Sequence, residues 1–286
     1  MSSSPTLRRR RLSRRLRELR EERGYTAEWV AKEARRISGK SRGWSESKLN
    51  RMENGEWKRL KIDDVYMLLD IYEVTSLTER EACATLARES NQQGWWASYG
   101  DILGSGQFVG LESEASSIRT YQSSQVPGLL QTEEYARAVI QATGVVDETE
   151  LARRVEARMF RKHVFARHTP TTVWAVIDES ALLRIPDHLV TQVDSLVEYS
   201  ERPNIGIQVL PMSRGIHAGM NGQFVIMDFQ PPDPPVVYIE AMQEEVYLER
   251  PEEVTRYQHI YDHVQAEALS VDESREHMRD LANRRK

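Results

Sequence analysis

Hydrophobic residues along the first ninety positions recur at spacings of three and four, which is typical of short helices that bury one face. The clearest stripe precedes Gly24 and consists of Leu12, Leu16 and Leu19. Similar patterns predict four more helices, which begin near Thr26, Ser45, Ile62 and Thr78. The sequence therefore predicts an all-helical N-terminal domain of about five helices.

The third predicted helix has only a thin apolar seam, formed by Leu49 and Met52 three positions apart. Ser45 is a good N-cap, and Asn54-Gly55 supplies residues that tolerate a positive φ and so end the helix. The other faces of this helix are polar and carry Glu46, Ser47, Asn50 and Arg51. Because so short a helix is unstable alone, it must pack on its neighbours and present its polar face to a partner.

After Pro170 the pattern changes to a period of two with many β-branched residues, which is typical of strands. Strands are predicted at Thr172–Ile177, Ile205–Leu210, Phe224–Asp228 and Val236–Ile239, and an extended segment at Ile118–Gln122. Helices are predicted at residues 111–117, 133–143, 153–167, 188–200, 251–268 and 272–284. The second half is therefore expected to be a mixed α/β domain with a sheet of about four strands.

These patterns divide the 286 residues into four parts. We expect a disordered leader at 1–6, the helical domain at 7–90, a connector at 91–110 and the α/β domain at 111–286. The connector is rich in glycine and polar residues, and its aromatic residues either pack onto the second domain or form a stacking platform for single-stranded nucleic acid. No apolar stretch is long enough to span a membrane, so a cytoplasmic protein is expected.

Charge is distributed unevenly between the two halves. The whole chain carries −5, but residues 1–60 carry +10 and the remainder −15. A basic end on an acidic body predicts a polyanionic partner for the first domain. The first helix begins with four consecutive arginines, for which phosphate contacts are predicted: Arg8, Arg9, Arg10 and Arg11.

A second basic cluster lies in the acidic half and consists of Arg153, Arg154, Arg158, Arg161 and Lys162. It has the composition of a phosphate-binding patch. Because its surroundings are acidic, we expect these residues to form ion pairs within the domain instead.

Residues that carry chemistry are sparse in the second half. His259 and His263 lie four apart on a predicted helix, but no glutamate follows the first histidine and no third metal ligand is evident. His217 lies in the glycine-rich stretch RGIHAGMNG, which is read as a loop between strands or as the rim of a pocket. Asp178 and Glu179 are adjacent at the end of a strand and should point to opposite faces. The sequence therefore predicts no catalytic site, no cofactor and no metal.

The single cysteine, Cys83, excludes an intramolecular disulfide and a cysteine-based zinc site. We interpret it as a small apolar residue in the last of the five N-terminal helices.

Residues 26–55 resemble the Cro/lambda-repressor (Xre-type) helix-turn-helix family. The run WSESKLNRMENG is similar to the S-x-S-x-[IV]-x-x-[IL]-E-x-G pattern of that family's recognition helix, although the turn at 35–43 is longer than usual. The resemblance implies that four side chains face the DNA major groove: Glu46, Ser47, Asn50 and Arg51. It further implies phosphate contacts from Ser45, Lys48 and Asn54.

The chemistry of these side chains agrees with base recognition. Arg51 suits guanine, Glu46 suits cytosine N4 and Asn50 suits adenine.

Most of residues 95–286 resemble the domain that follows a helix-turn-helix in many actinobacterial regulators, the WhiJ-like group. The runs that carry this resemblance include TVWAVIDESALLR and GIHAGMNGQFVIMDF. The resemblance implies a developmental or stress repressor, often paired with a small acidic partner protein, and it implies no catalytic residues.

We therefore predict a sequence-specific DNA-binding transcriptional regulator, a repressor, in the cytoplasm and associated with the nucleoid. Its expected partner is double-stranded operator DNA, bound as a homodimer on half-sites about one helical turn apart. The second domain is expected to receive a signal from a small partner protein or a small-molecule effector. Two alternatives remain: an antitoxin-like autoregulator that neutralises a partner, and an enzyme whose helix-turn-helix is a targeting module.

Overall fold

The computed structural model describes residues 5–39, 43–57, 59–92, 94–240 and 244–285. The chain forms two compact units, one of Met1–Ser98 with Ser105–Leu111 and one of Tyr99–Gly104 with Glu112–Lys286. The residues predicted as a connector, 91–110, are thus divided between the units. They contain a 3₁₀ helix at Trp95–Tyr99, a short helix at Gly100–Leu103 (α6) and most of a helix at Gln107–Glu112 (α7).

In its described residues the first unit holds five main helices, as predicted: α1 Pro5–Glu22, α2 Ala27–Ser38, α3 Glu46–Glu53, α4 Ile62–Ile71 and α5 Leu77–Ser90. They share one apolar core. Its fully buried members include Leu12, Leu16, Val30, Leu49 and Leu68, so α1 to α4 each contribute to it. Cys83 on α5 is also buried there, as predicted.

The start of α1 corrects the predicted leader. The helix begins at Pro5, so residues 5 and 6 are helical, whereas residues 1–4 lie outside the described residues. Proline suits the first turn because the N–H it lacks has no partner within a helix there.

The predicted helix boundaries agree with the caps in this unit. Gly24, with a φ of 69°, follows α1, and the Thr26 hydroxyl accepts a hydrogen bond from the Trp29 N–H at 3.2 Å. The turn predicted at residues 35–43 begins later than expected, because α2 continues to Ser38. Residues 40–42 of that turn lie outside the described residues.

In the described part of the second unit, six strands form one mixed sheet: β1 Ser117–Gln122, β2 Thr172–Asp178, β3 Ile205–Leu210, β4 Phe224–Asp228, β5 Val236–Glu240 and β6 Glu245–Leu248. The strand order is β3-β2-β1-β4-β5-β6. β1, β2 and β3 are parallel, whereas the pairs β1–β4, β4–β5 and β5–β6 are antiparallel.

The predicted number of about four strands is too low. The segment expected to be extended is the full strand β1, and β6 was not predicted. β6 has only four residues, none of them buried, and so short a run gives a weak period-two signal. The prediction of a helix at 111–117 is also wrong beyond Glu112. The Ser116 N–H donates to the Asp228 carbonyl at 2.8 Å, and Ser117 is the first residue of β1.

Six further helices are described in this unit: α8 Glu133–Ala142, α9 Glu148–Phe160, α10 Glu179–Leu183, α11 Thr191–Ser200, α12 Pro251–Glu267 and α13 Val271–Asn283. The helix predicted at 153–167 is α9 followed by a 3₁₀ turn at Arg161–Ala166. The short helix α10 was not predicted.

Helices cover both faces of the sheet. Ala175 and Ile177 of β2 lie in a core with α8, α11 and α13, whereas Val176 lies in a core with α12. The outer edge of β3 is covered as well, since the Leu269 N–H donates to the Val209 carbonyl and the Ser274 hydroxyl accepts from the Val209 N–H. This coverage explains why every residue of β3 is buried.

Candidate nucleic-acid interface

The inner side of α3 is fixed in the core of the first unit. Leu49 and Met52 are 0% and 2% exposed, as the sequence predicted. The Ser45 hydroxyl accepts a hydrogen bond from the Lys48 N–H at 3.1 Å and so caps the helix. At the other end Gly55 adopts a φ of 75°, which ends the helix at little steric cost. The helix is therefore held by its apolar seam and capped as expected.

A buried ion pair also holds α3 from behind. Arg20 Nε and Nη2 of α1 donate to Glu53 Oε1 and Oε2 at 2.7 and 2.8 Å, and Arg20 Nη1 donates to the Tyr25 carbonyl at 2.8 Å. The hydrogen bond to Glu53 raises the pKa of Arg20. Sequence reasoning noted Glu53 in the family pattern but missed its role. The sequence shows only that Glu53 follows Met52 of the apolar seam, and its partner Arg20 becomes evident from the fold.

The four residues predicted to read bases lie together on the exposed side of α3. We call Glu46, Ser47, Asn50 and Arg51 the outer stripe, because their spacing places them on one face of the helix. Within the described residues, none of these side chains makes a hydrogen bond or an ion pair. Four polar side chains on a rigid helix are thus open to an external partner.

The three residues predicted to hold phosphates beside the stripe are partly engaged within the unit. Lys48 Nζ lies 2.9 Å from Asp64 Oδ2 and 3.9 Å from the centre of the Trp44 ring. The Asn54 side-chain oxygen accepts a hydrogen bond from Arg17. Ser45 is exposed, but its hydroxyl caps α3. Their phosphate contacts stay predictions, and a phosphate would compete with Asp64 for Lys48.

The arginine run at the start of α1 needs a correction. Arg8 is 2% exposed, and its Nε lies 3.0 Å from Glu89 Oε2 of α5, so it is a structural residue and does not fit a phosphate contact. Arg9 is half-buried with its guanidinium 5.0 Å from the Trp57 ring centre, and burial lowers its pKa. Arg10 and Arg11 are also half-buried, so their phosphate contacts stay predictions.

Two cations that sequence reasoning overlooked are more exposed. Lys32 and Arg35 lie on α2 opposite its buried residues and, among the described residues, form no ion pair. α2 packs directly on α3. In the sequence, both residues lie on the polar face of α2, but they do not belong to a run of consecutive arginines.

In the second unit, the structure brings together residues at the carboxyl ends of the parallel strands. His217 Nε2 lies 3.8 Å from Asp178 Oδ2, and the Tyr121 hydroxyl donates to the same oxygen at 3.3 Å. The Gly219 N–H donates to His217 Nδ1 at 3.2 Å. Both ring nitrogens therefore face groups of the protein, and the histidine fixes the glycine-rich loop against β2.

Asp178 and Glu179 point apart, as predicted. Glu179 accepts a hydrogen bond from the Met212 N–H at 2.8 Å and lies 3.0 Å from His277. Asp178 instead faces Tyr121 and His217. The two carboxylates therefore do not form a pair.

His259 and His263 are exposed on α12. Across the described ranges, no group of three or more histidine, cysteine, aspartate or glutamate residues has the arrangement of a metal site.

Comparison with known families identifies both halves. Residues 105–280, more than half of the chain, match the family described as "Domain of unknown function (DUF5753)". The chain belongs to this family. Residues 11–83 match a helix-turn-helix domain, which indicates DNA binding by the first unit. No curated protein and no solved structure matches the chain.

The two matches support the predicted architecture of a helix-turn-helix followed by a DUF5753 domain. The finer resemblances to the Xre type and to the WhiJ-like group stay predictions. In the described part of the chain, no helix is long and apolar enough to cross a membrane.

Proposed function

We propose that the protein is a sequence-specific DNA-binding transcriptional regulator that acts as a repressor. The observation that carries this proposal is the outer stripe: four exposed polar side chains without partners among the described residues, on a helix fixed by Leu49, Met52 and the Arg20–Glu53 pair. A helix that reads bases needs an inner face fixed by the core and an outer face whose side chains have no partner within the protein. Its hydrogen-bonding groups can then meet the base edges in a defined register.

Within this proposal the outer stripe and α2 have different roles. Arg51 binds guanine, Asn50 binds adenine and Glu46 accepts from cytosine. Lys32 and Arg35 on α2 hold phosphates and set the register without reading sequence. Two copies bind half-sites about one helical turn apart, so the active species on DNA is a homodimer.

The DUF5753 domain receives the signal in this proposal, from a small-molecule effector or from a small acidic partner protein. In this proposal the domain has no catalytic role. The alternative hypothesis for the same architecture is an antitoxin-like autoregulator that neutralises a partner.

The test is fluorescence anisotropy of the full chain with duplexes enriched from a random library and with scrambled duplexes, at about 150 mM salt. We expect the enriched duplex to bind about a thousandfold more tightly than the scrambled one. Arg51→Ala should weaken binding to the enriched duplex about 10- to 100-fold and leave binding to the scrambled duplex nearly unchanged.

Lys32→Ala is the matched control, since loss of a phosphate contact weakens binding to both duplexes alike. The base-reading assignment fails if no duplex is enriched. It also fails if Arg51→Ala weakens binding to both duplexes equally.

A further inference from the structure

The basic cluster of the DUF5753 domain separates into partnered arginines and one exception. Arg153 Nη1 lies 2.6 Å from Asp101, Arg154 Nη2 lies 2.7 Å from Glu150, and Arg161 Nη2 lies 2.6 Å from Glu112. The ion pairing expected from the sequence is therefore confirmed for these three. Arg158 lies on α9, as Arg153 and Arg154 do, and it differs from all three.

Arg158 has a neutral partner. Its Nη1 donates to Gln131 Oε1 at 3.0 Å, and within the described residues no carboxylate lies within 4 Å of its guanidinium. Residues outside the described ranges supply no aspartate or glutamate side chain either, as their sequence shows. Gln131 is 1% exposed, and its amide nitrogen donates to the Val126 carbonyl at 2.8 Å. The Gln131 oxygen is therefore held in place, and it orients the guanidinium of Arg158.

The surroundings increase the imbalance of charge around Arg158. The neighbouring Arg161 occupies both oxygens of Glu112, at 2.7 and 2.6 Å. Burial, together with the positive charge of Arg161, lowers the pKa of Arg158 to about 10. The carboxylates of Glu240 and Glu112 act in the opposite direction, but Glu240 is exposed to solvent at the end of β5 and both oxygens of Glu112 are bound by Arg161. The cluster therefore holds a half-buried positive charge in excess of its contacting carboxylates.

A half-buried guanidinium with one neutral hydrogen bond has unused capacity for a ligand. Guanidinium carries five N–H donors in a planar fork that matches a carboxylate, and buried charges are normally paired. The Arg161–Glu112 pair, three residues along the chain, shows that the same environment accommodates a carboxylate on an arginine.

We propose that Arg158, oriented by Gln131, is the binding site for a small organic carboxylate in the DUF5753 domain. This proposal names the chemical class of the small-molecule effector, a carboxylate, and it therefore rests on the proposed function. Because ligand binding is measured without DNA, failure of this site and failure of DNA recognition are distinguishable.

The test titrates the full chain with formate, acetate, propionate and benzoate, and in parallel with inorganic phosphate, against sodium chloride at equal ionic strength. At tenfold the Kd, a bound carboxylate should raise the Tm of the second unit by about 3 °C. The Arg158 Nε–H resonance, assigned by its loss in Arg158→Gln, should shift with the same midpoint.

Variants locate the effect. Arg158→Gln should abolish the rise in Tm, whereas Arg153→Gln, on the exposed part of the same helix, should keep it. Arg158→Lys retains the charge and loses the fork, so we expect at least a tenfold weaker response. Circular dichroism checks that each variant is folded. If Arg158→Gln does not fold, the weaker response of Arg158→Lys still tests the proposal.

Three results would overturn the proposal. The first is that no carboxylate of the series raises the Tm above the chloride control. The second is an equal rise in the wild type and in Arg158→Gln. The third is a rise with phosphate alone, which would assign the site to a phosphate ligand.

Discussion

The two arginine-rich helices, α1 and α9, look alike in sequence and differ in the structure. In α1, the arginines connect separate helices: Arg8 pairs with Glu89 of α5, and Arg20 pairs with Glu53 of α3. In α9 the pairing includes Arg153 and Arg154 but leaves Arg158 with a neutral partner. A high density of arginine therefore does not by itself identify an anion site, because arginines in both helices bind carboxylates of the protein itself.

The comparison also changes the role that is assigned to the arginines near the N-terminus. Its positive charge predicted phosphate contacts, yet Arg8 and Arg20 are used to assemble the helical unit. The candidate DNA contacts move to the outer stripe and to α2, where charged side chains are exposed. Substitutions can test this difference between structural and available arginines.

The largest effect is expected from breaking the buried pair behind α3. Glu53→Gln leaves the Arg20 charge without its counter-charge, so the free energy of unfolding of the first unit should fall by about 3 kcal/mol. Urea denaturation followed by circular dichroism at pH 7 measures it. The matched control is Glu33→Gln, whose partner Arg36 lies at the surface, and we expect no measurable change there. Equal effects of the two variants would remove the distinction between buried and exposed pairs.

A contrast in magnitude is expected in the second unit. Arg161→Met leaves the buried Glu112 without its partner, so the free energy of unfolding should fall by about 3 kcal/mol. Arg158→Met removes a charge that has no contacting carboxylate among the described residues, but it also leaves the buried Gln131 oxygen without its donor. In a buffer free of organic acids, the free energy of unfolding should therefore fall by only about 1 kcal/mol. Urea denaturation of both variants checks this, and a loss in Arg158→Met as large as in Arg161→Met would show that Arg158 is a structural residue.

A smaller effect should appear at Cys83, which reports on the contact between α1 and α5. Burial raises the pKa of its thiol to about 11, so alkylation by iodoacetamide at pH 8 should be slow in the folded protein. Arg15 Nε donates to Glu79 Oε1 of α5 at 2.8 Å. Arg15→Ala should therefore loosen the two helices and speed alkylation several-fold.

The direction of that change is diagnostic. Arg15 acts to lower the pKa of Cys83, so its loss alone would leave less thiolate and slow the reaction. A faster reaction can then come only from opening of the helices. Arg36→Ala, at the surface of α2, is the control and should leave the rate unchanged. An unchanged rate in Arg15→Ala would mean that this ion pair does not hold α1 to α5.

Features set by neighbouring residues were predictable from the sequence. Ser45, Leu49, Met52 and Gly55 define the cap, the buried seam and the end of α3 through interactions within a few positions. The same holds for the strands whose residues alternate or are apolar throughout. β6 was missed because its residues are half exposed and few.

Features set by distant residues were not predictable in the same way. Arg20 and Glu53 are 33 positions apart, and no pattern in either segment names the other as its partner. Arg158 carried a weak local signal. Its neighbours three and four positions away are Arg154, Val155, Arg161 and Lys162, so no acidic residue lies within reach along the helix. Whether a distant carboxylate reaches it depends on the tertiary fold.

The way α3 is anchored has a consequence for how such a protein diversifies. Its attachments include Leu49, Met52, Glu53 and the Lys48–Asp64 ion pair, and among the described residues no side chain of the outer stripe takes part in them. Substitutions at the four positions of the outer stripe should therefore alter the DNA sequence that is recognised, while the fold of the helical unit stays the same. Gene duplication followed by change at these positions would yield paralogues with new targets, and a designer could graft a different set of four onto the same helix.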